Sequence, residues 1–168
     1  LAFRIKQINE SFFKAIKEVG YKGYYKGVFP VKVNQQAQVI DRIVDFGKEF
    51  DFGLEVGSKP ELLIALAHDL SSESAIICNG IKDKEFINLA ILSLKIGFKT
   101  ILVLESPREL DLITEVSEEL NVRPLLGIRV KLTNKVSGNW SQSSGDRSAF
   151  GMSVEQVMKV ITKLKVNN

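Results

Sequence analysis

The sequence predicts an α/β fold in which about five parallel strand–helix units form part of a TIM-type (β/α) barrel. Short, β-branched apolar segments alternate with segments of helical periodicity along the chain. The centres of the apolar segments are Val31, Leu54, Ile77, Leu102 and Ile128, at separations of 23, 23, 25 and 26 residues. Such regular spacing indicates consecutive βαβ units. A doubly wound sheet also fits the spacing, but Val33-Asn-Gln-Gln36 stands where its glycine-rich turn would follow the first strand.

Each element has its own signal in the sequence. Apolar residues recur every three or four positions from Ile5 to Val19, which predicts an amphipathic first helix that ends at Gly20. Ser58-Lys-Pro-Glu61 and Ser106-Pro-Arg-Glu109 are typical of helix starts with a capping box. The predicted strands are 27–33, 53–56, 75–79, 100–104 and 124–132, and the later helices are 38–47, 59–68, 82–95, 106–120 and 153–165. The phenylalanines at helical positions are predicted to be core: Phe12, Phe13, Phe46, Phe50 and Phe86.

The length indicates that the barrel is incomplete in this chain. A (β/α)₈ barrel needs eight units and about 250 residues, whereas the chain has 168 residues and five predicted units. We therefore expect an unclosed sheet that belongs to a larger domain. Between the last strand and the last helix, residues 134–148 are rich in Ser, Gly and Asn, and we expect this loop to be mobile.

Composition narrows the class of protein further. The chain is 45% hydrophobic and 26% charged, with a net charge of +3 that is spread along the sequence. This balance excludes a disordered tail and gives no sign of a nucleic-acid partner. No apolar run approaches the 18 residues of a membrane span, and the single Cys78 has no partner in the chain. These features predict a cytoplasmic protein with no membrane association.

Polar residues occur at or just beyond the C-terminal end of every predicted strand. Strand alternation turns Lys32, Glu55 and the pair Arg129 and Lys131 toward the barrel interior, with Phe29, Val31 and Val33 on the helix side. Asn79 and Glu105 end the third and fourth strands. Each residue alone also has a purely structural interpretation. Arg129 could pair with Glu55, Asn79 could cap a turn, and Lys32 could simply be solvated. Their shared position favours a functional site, because barrel enzymes build their active sites at this end.

Among these residues Lys32 has the most distinctive chemistry. A lysine amine in an apolar, partly enclosed site has a lowered pKa, and its neutral nitrogen forms a Schiff base with a carbonyl compound. A nearby Arg129 acts in the same direction. The other candidates are weak: His68 has no metal-ligand partner in the sequence, and Cys78 lies in an apolar strand. Zinc spacing, a nucleophile elbow and a phosphate P-loop are missing from the sequence.

Several segments resemble the biosynthetic arginine decarboxylases, which are pyridoxal-phosphate enzymes of the alanine racemase and ornithine decarboxylase fold. The segments are Gly27-Val-Phe-Pro-Val-Lys-Val-Asn-Gln-Gln36, Gly53-Leu-Glu-Val-Gly-Ser-Lys-Pro-Glu-Leu62, Ile77-Cys-Asn-Gly-Ile-Lys-Asp83, Leu126-Gly-Ile-Arg-Val130, Ser137-Gly-Asn-Trp140 and Ser148-Ala-Phe-Gly151. They follow the order of the family over nearly the whole chain. The resemblance implies that residues 1–168 are the N-terminal portion of a pyridoxal-phosphate-binding barrel, with the rest of the barrel and a C-terminal β-domain absent.

The resemblance also implies roles for particular residues. Lys32 corresponds to the catalytic lysine that binds pyridoxal 5'-phosphate covalently, Arg129 lies near the cofactor's phenolic oxygen, and Glu55 and Asn79 line the cofactor site. It implies decarboxylation of L-arginine to agmatine, a polyamine precursor, by a full-length homo-oligomer, and it leaves magnesium open as a second cofactor. The family's ring-stacking histidine, phosphate loop and pyridine-nitrogen carboxylate all lie beyond Asn168. We therefore expect the isolated chain to be inactive.

Other functions remain open at this point. Another decarboxylase of the same fold, acting on ornithine, diaminopimelate or carboxynorspermidine, is the nearest alternative, although Val33-Asn-Gln-Gln36 and Ser137-Gly-Asn-Trp140 favour arginine. A non-catalytic pyridoxal-phosphate-binding barrel protein is the second alternative. Such a protein should close its barrel within its own length. A non-enzymatic α/β scaffold has no positive feature in its favour.

Overall fold

A parallel five-stranded sheet, with its strands in chain order, forms the centre of the computed structural model, which describes residues 1–131 and 150–166. The strands are β1 (Val28–Pro30), β2 (Gly53–Val56), β3 (Ala75–Cys78), β4 (Lys99–Leu104) and β5 (Leu125–Ile128). The helices are α1 (Ala2–Glu18), α2 (Ala37–Gly47), α3 (Lys59–Leu66), α4 (Lys84–Lys95), α5 (Pro107–Leu120) and α6 (Val154–Val166). In this part of the chain, no helix has both the length and the apolar composition needed to cross a membrane.

The strand order separates the two candidate architectures. Every strand pairs in parallel with the next strand along the chain, from β1 to β5, without a reversal. A doubly wound sheet reverses its order at a switch point, whereas a barrel does not. The predicted partial barrel is therefore confirmed. Beyond β5, Val130 forms a parallel bridge with Met152, so the chain returns beside β5 after residue 149.

Alternation along the strands separates the helix-packed face from the interior face. In β4 the positions Thr100, Leu102 and Leu104 are buried, and the residues between them are half-buried. Leu54 and Val56 of β2 are fully buried in the same core. The apolar core thus lies between sheet and helices, and the half-buried face lines the inside of the open barrel.

Strands one and five are shorter than predicted. Pro30 ends β1, and Val31–Val33 form a 3₁₀ turn. Period-two alternation stops where the strand stops, so Val31 is fully buried while Val33 is 68% exposed. The expectation that Val33 packs against the helices is wrong for this reason. Val130, two residues beyond β5, is likewise exposed rather than helix-packed.

The helix starts follow the capping signals in part, since Ser58 caps its helix through its side chain, whereas Ser106 precedes α5 without a side-chain cap. Ser58 accepts a hydrogen bond from the Glu61 amide, as predicted, but the Glu61 carboxylate accepts from the Gly57 amide at 2.7 Å rather than from Ser58. Helix α4 begins at Lys84 rather than at residue 82, because the Asp83 carboxylate accepts from the Phe86 amide and acts as its N-cap. Lys82 is consequently outside the helix.

The predicted phenylalanine core is mostly wrong. Phe86 is buried and Phe50 is half-buried, whereas Phe12, Phe13 and Phe46 are exposed. Helix α1 lies at the periphery and buries only Ile5 and Asn9. The ring of Phe12 stacks on Tyr25 instead, with 4.0 Å between ring centroids. Helical periodicity identifies a face but does not show whether a neighbouring element covers it.

Candidate active site

The first group of polar residues forms at the ends of β1, β2 and β3. The Lys32 amine donates to Glu55 Oε1 at 3.3 Å, and the Asn79 side-chain amide donates to the same oxygen at 2.9 Å. Glu55 Oε2 is buried, lies 3.3 Å from the amine and has no hydrogen bond to any residue that the structure describes. Parallel register explains the grouping, since Pro30 lies opposite Glu55, and Glu55 opposite Ile77.

Lys32 and Glu55 differ strongly in exposure. The Lys32 side chain is 61% exposed, because the 3₁₀ turn after Pro30 carries it out of the sheet, whereas the Glu55 side chain is 9% exposed. Among the described residues, Lys32 is therefore not enclosed in an apolar site, contrary to the prediction from the sequence. Its amine is exposed and lies beside the carboxylate of Glu55. The amine is accessible to a ligand, and the buried carboxylate of Glu55 and the half-buried amide of Asn79 lie beneath it.

A second group forms at the ends of β4 and β5. The carboxylate of Glu105, only 2% exposed, accepts from Arg129 Nη1 and from the Gly80 amide at Oε1, each at 2.9 Å. Its Oε2 accepts from the Gly151 amide, also at 2.9 Å. Arg129 thus pairs with Glu105 and not with Glu55, which corrects the pairing considered from the sequence.

A buried ion pair lies behind Glu105. The Lys82 amine is 3.2 Å from Glu109 Oε2, with side chains 0% and 4% exposed. The amine also donates to the carbonyl oxygens of Gly80 and Val103. Glu109 accepts in turn from the backbone amides of Lys82 and Glu105, at 2.9 and 2.8 Å. Both residues lie in predicted helix starts, and nothing in the sequence indicated that Lys82 and Glu109 form a buried ion pair.

Arg129 is held on a second side by the segment that returns to β5. Its guanidinium carbon lies 5.1 Å from the centre of the Phe150 ring, which is the range of a cation–π contact. The Met152 amide donates to the Arg129 carbonyl at 2.8 Å, and the Lys131 amide donates to Met152 at 2.8 Å. The Arg129 side chain remains 46% exposed. It is therefore anchored and still accessible.

Gly151→Ala is expected to destabilise this end of the sheet by about 1–3 kcal/mol, because Gly151 has a left-handed φ of +81°. An added Cβ would lie 3.2 Å from both Cγ and the carbonyl oxygen of Arg129. Gly97→Ala is the control, since φ is +96° there but no atom lies within 4 Å of the added Cβ. Urea unfolding followed by hydrogen exchange of peptides around each glycine measures both. A smaller loss of stability for Gly151→Ala than for Gly97→Ala would contradict the expected clash with Arg129.

The two remaining reactive side chains are structural. Cys78 is buried in β3, and desolvation by burial raises the pKa of its thiol to about 12. His68 joins α3 to α2 through ring contacts with the Ile64 carbonyl and the Asp41 carboxylate, at 2.7 and 3.0 Å. Within residues 1–131 and 150–166, no group of three or more His, Cys, Asp and Glu side chains is placed to bind a metal ion.

The donor set at the strand ends suits an aldehyde cofactor. A primary amine reaches solvent, a buried carboxylate oxygen without a hydrogen bond lies beside it, and a guanidinium faces the same end of the sheet. An amine condenses with an aldehyde, and a cation suits an anionic oxygen. The Ser137-Gly-Asn-Trp140 motif and the predicted mobile loop 134–148 lie outside the described residues.

Comparison with known proteins assigns the family. The family described as "pyridoxal-dependent decarboxylase, pyridoxal binding domain" matches residues 5–168. The chain belongs to the pyridoxal-dependent decarboxylases. The match lies within the pyridoxal-binding domain of that family, so the strand-end groups above belong to a cofactor-binding fold.

Two relatives and two solved structures resemble this pyridoxal-dependent decarboxylase chain. Biosynthetic arginine decarboxylases of Gloeobacter violaceus and Prochlorococcus marinus (strain MIT 9301) are 49% and 51% identical over 98% of it. The crystal structure of the biosynthetic arginine decarboxylase from Campylobacter jejuni matches 99% of it, with a TM-score of 0.85 and 34% identity. A diaminopimelate decarboxylase from M. jannaschii matches 96%, with a TM-score of 0.72 and 25% identity.

The chain covers a limited part of each of these proteins. It spans 26% of the length of both curated relatives and of the Campylobacter jejuni chain, and 37% of the diaminopimelate decarboxylase chain. The incomplete sheet agrees with this coverage. The described residues therefore supply one side of a pyridoxal-binding barrel.

Proposed function

We propose that this chain is the N-terminal barrel portion of an arginine decarboxylase, which converts L-arginine to agmatine and CO₂ with pyridoxal 5'-phosphate. The observation that supports the proposal best is the identity of 49–51% with biosynthetic arginine decarboxylases over 98% of the chain. Residues 1–168 would make up the first five strand–helix units. The rest of the barrel and a C-terminal β-domain would follow in the full-length protein.

In this proposal Lys32 binds the cofactor covalently. Its amine is the exposed group at the end of β1, and the aldehyde of pyridoxal phosphate reacts with a neutral primary amine. Glu55 would take up the ammonium proton, because its Oε2 lies 3.3 Å away and has no hydrogen bond to any described residue. Asn79 holds the other oxygen of Glu55 at 2.9 Å and fixes its orientation.

Arg129 provides the positive charge on the far side of the site. Held by Glu105 and Phe150, it presents part of its guanidinium to the barrel end and is proposed to orient the phenolic oxygen of the ring. When bound, the cofactor would supply the electron sink for the electron pair that stays on the substrate's α-carbon as CO₂ leaves. The chain's own residues bind, orient and hold protons. The substrate's guanidinium pocket is proposed to lie outside residues 1–168.

A second decarboxylase function has one observation in its favour. The diaminopimelate decarboxylase from M. jannaschii, solved with L-lysine, shares the fold over 96% of the chain. Its TM-score of 0.72 is lower than the 0.85 of the arginine decarboxylase. Arginine is therefore the proposed substrate, and diaminopimelate the first competitor to assay.

The cellular setting follows from the proposed reaction. Agmatine would enter polyamine and spermidine biosynthesis, and the full-length protein would be a cytoplasmic homo-oligomer without a nucleic-acid or membrane partner. Magnesium has no ligand cluster among the described residues. We leave a magnesium requirement of the full-length protein open.

The test is a substrate panel with the purified full-length protein and excess pyridoxal phosphate. Agmatine and CO₂ should form in equal amounts from L-arginine, with a kcat/KM at least about tenfold above those for ornithine, diaminopimelate and carboxynorspermidine, a gap of about 1.4 kcal/mol. A preference for one of the other substrates overturns the arginine assignment. Cofactor binding without release of CO₂ from any of the four overturns the enzyme assignment.

The isolated 168-residue chain is expected to give no agmatine at a useful rate. Its described residues close only part of the barrel, and β1 and β5 are open edges in them. Turnover within about tenfold of a typical enzyme's 10 per second contradicts this expectation.

A further inference from the structure

We infer that Glu105 is a positioning residue that fixes the guanidinium of Arg129 at the cofactor site, and that the buried pair of Lys82 and Glu109 keeps Glu105 available for that task. Its consequence for the reaction rests on the proposed function. The structural part stands on the contacts at the ends of β3, β4 and β5.

Glu105 connects three segments that are distant in sequence. One carboxylate accepts from the Gly80 amide after β3, from Arg129 after β5 and from the Gly151 amide where the chain returns, all at 2.9 Å. Hydrogen bonds to a buried carboxylate are charge-assisted and about twice as strong as neutral ones. The position of Glu105 therefore sets the relative placement of all three segments.

The Arg129 contact is directional. Glu105 holds Nη1, the Phe150 ring lies 5.1 Å from the guanidinium carbon, and the side chain is still 46% exposed. The planar guanidinium has five donors in a rigid fork, so fixing one edge orients the others. The carboxylate of this pair is buried, whereas the cation is exposed at the open end of the sheet.

Lys82 and Glu109 form an ion pair of their own beside Glu105, so the charge of Glu109 is already neutralised. A second acidic side chain lies beside the Glu105 main chain, since the Glu109 carboxylate accepts from the Glu105 backbone amide at 2.8 Å. Lys82, fully buried, is 3.2 Å from Glu109 and neutralises it. Glu109 consequently does not compete for Arg129. The four side chains carry two positive and two negative charges, and only Arg129 reaches the surface substantially.

Glu105→Gln in the full-length protein removes the charge with little change in shape. We expect the dissociation constant for pyridoxal phosphate, from titration of its visible absorbance, to rise about tenfold, which is the effect of losing one charge-assisted hydrogen bond. In the cofactor-free protein, Arg129 should react several-fold faster with phenylglyoxal, as measured by peptide mass spectrometry. Glu115→Gln is the matched control, because Glu115 pairs with Lys84 on the exposed face of α5.

A double-mutant cycle separates positioning from general destabilisation. If Glu105 acts through Arg129, Arg129→Ala combined with Glu105→Gln should weaken cofactor binding no more than Arg129→Ala alone. Additive losses overturn the inference, and so does an unchanged Arg129 reactivity in Glu105→Gln. If Glu105→Gln fails to fold, Glu105→Asp takes its place, because it keeps the charge on a shorter side chain. The dissociation constant for pyridoxal phosphate and the phenylglyoxal rate of Arg129 then decide.

The test of Glu105 does not depend on which substrate the enzyme decarboxylates. A wild-type protein that binds pyridoxal phosphate but leaves arginine intact contradicts the proposed function, while the cofactor titration still tests Glu105. If the wild-type protein binds no pyridoxal phosphate, the phenylglyoxal rate of Arg129 in the cofactor-free protein alone decides.

Discussion

Lys32→Ala in the full-length protein is expected to lower arginine decarboxylation by at least about 10²–10⁴-fold, the range found when a positioned catalytic group is removed. The residue is proposed to hold the cofactor, and its amine is the exposed nitrogen above Glu55. Agmatine release under saturating pyridoxal phosphate measures the loss. The visible absorbance of lysine-bound cofactor should disappear together with the activity.

Lys32→Arg distinguishes covalent binding from a simple ion pair. The arginine keeps a positive charge near Glu55, which lies 3.3 Å from the native amine, but a guanidinium is always protonated in proteins and does not condense with an aldehyde under these conditions. We expect Lys32→Arg to be as inactive as Lys32→Ala. Lys84→Ala, on the exposed face of α4, should keep full activity. Substantial activity in Lys32→Arg would falsify the covalent role.

Lys82→Met is expected to destabilise the fold by about 3–5 kcal/mol, the usual cost of removing one partner of a buried ion pair. The lysine is fully buried, and its loss leaves the Glu109 carboxylate, 4% exposed, with only two backbone donors. Two carbonyl oxygens, of Gly80 and Val103, lose their donor as well. Hydrogen exchange of peptides from β3 and β4 during urea unfolding reports the change locally.

Two further variants test the origin of that loss. Lys84→Met removes an exposed lysine that pairs with Glu115 and Glu119, and its effect should stay within about 1 kcal/mol. Lys82→Met combined with Glu109→Gln should recover part of the loss, because the substitution removes the unpaired charge and the amide oxygen still accepts from one of the two backbone amides. A double variant less stable than Lys82→Met contradicts the view that the unpaired Glu109 charge causes the loss.

Spacing and periodicity predicted the sheet well. The five apolar segments, with centres 23 to 26 residues apart, became five parallel strands in chain order. Their polar ends predicted which residues meet at one edge, because parallel register places the strand ends together. Lys32, Glu55 and Asn79 form a contact group, and Arg129 lies at the same end with Glu105.

The pairing among those residues was not predictable in the same way. Whether Arg129 meets Glu55 or Glu105 depends on which strands are adjacent and on side-chain reach, and Glu105 directly follows β4, the strand next to β5. Pro30 shows a related limit, since it ended β1 and turned Lys32 outward through a 3₁₀ turn. Strand alternation extended past Pro30 placed Val33 in the core, which was wrong.

The sequence around Lys82 and Glu109 did not indicate that they form a buried ion pair. Glu109 occupies the position of a capping-box acceptor after Ser106, and this local interpretation accounted for it. In the structure its carboxylate instead accepts from the amides of Glu105 and Lys82. Lys82 lies two residues after Gly80, which has a left-handed φ of +78°. A lysine between a glycine turn and a helix cap is usually exposed, so burial could not be expected.

Lys32 is proposed to bind the cofactor covalently, and borohydride reduction of the full-length protein loaded with pyridoxal phosphate tests this role. Reduction converts the imine into a stable secondary amine, and peptide mapping by mass spectrometry locates the pyridoxyl group. We predict a single pyridoxyl adduct on Lys32, absent from Lys32→Ala. An adduct on Lys82 or Lys131 in the wild-type protein, with Lys32 unmodified, would contradict the account.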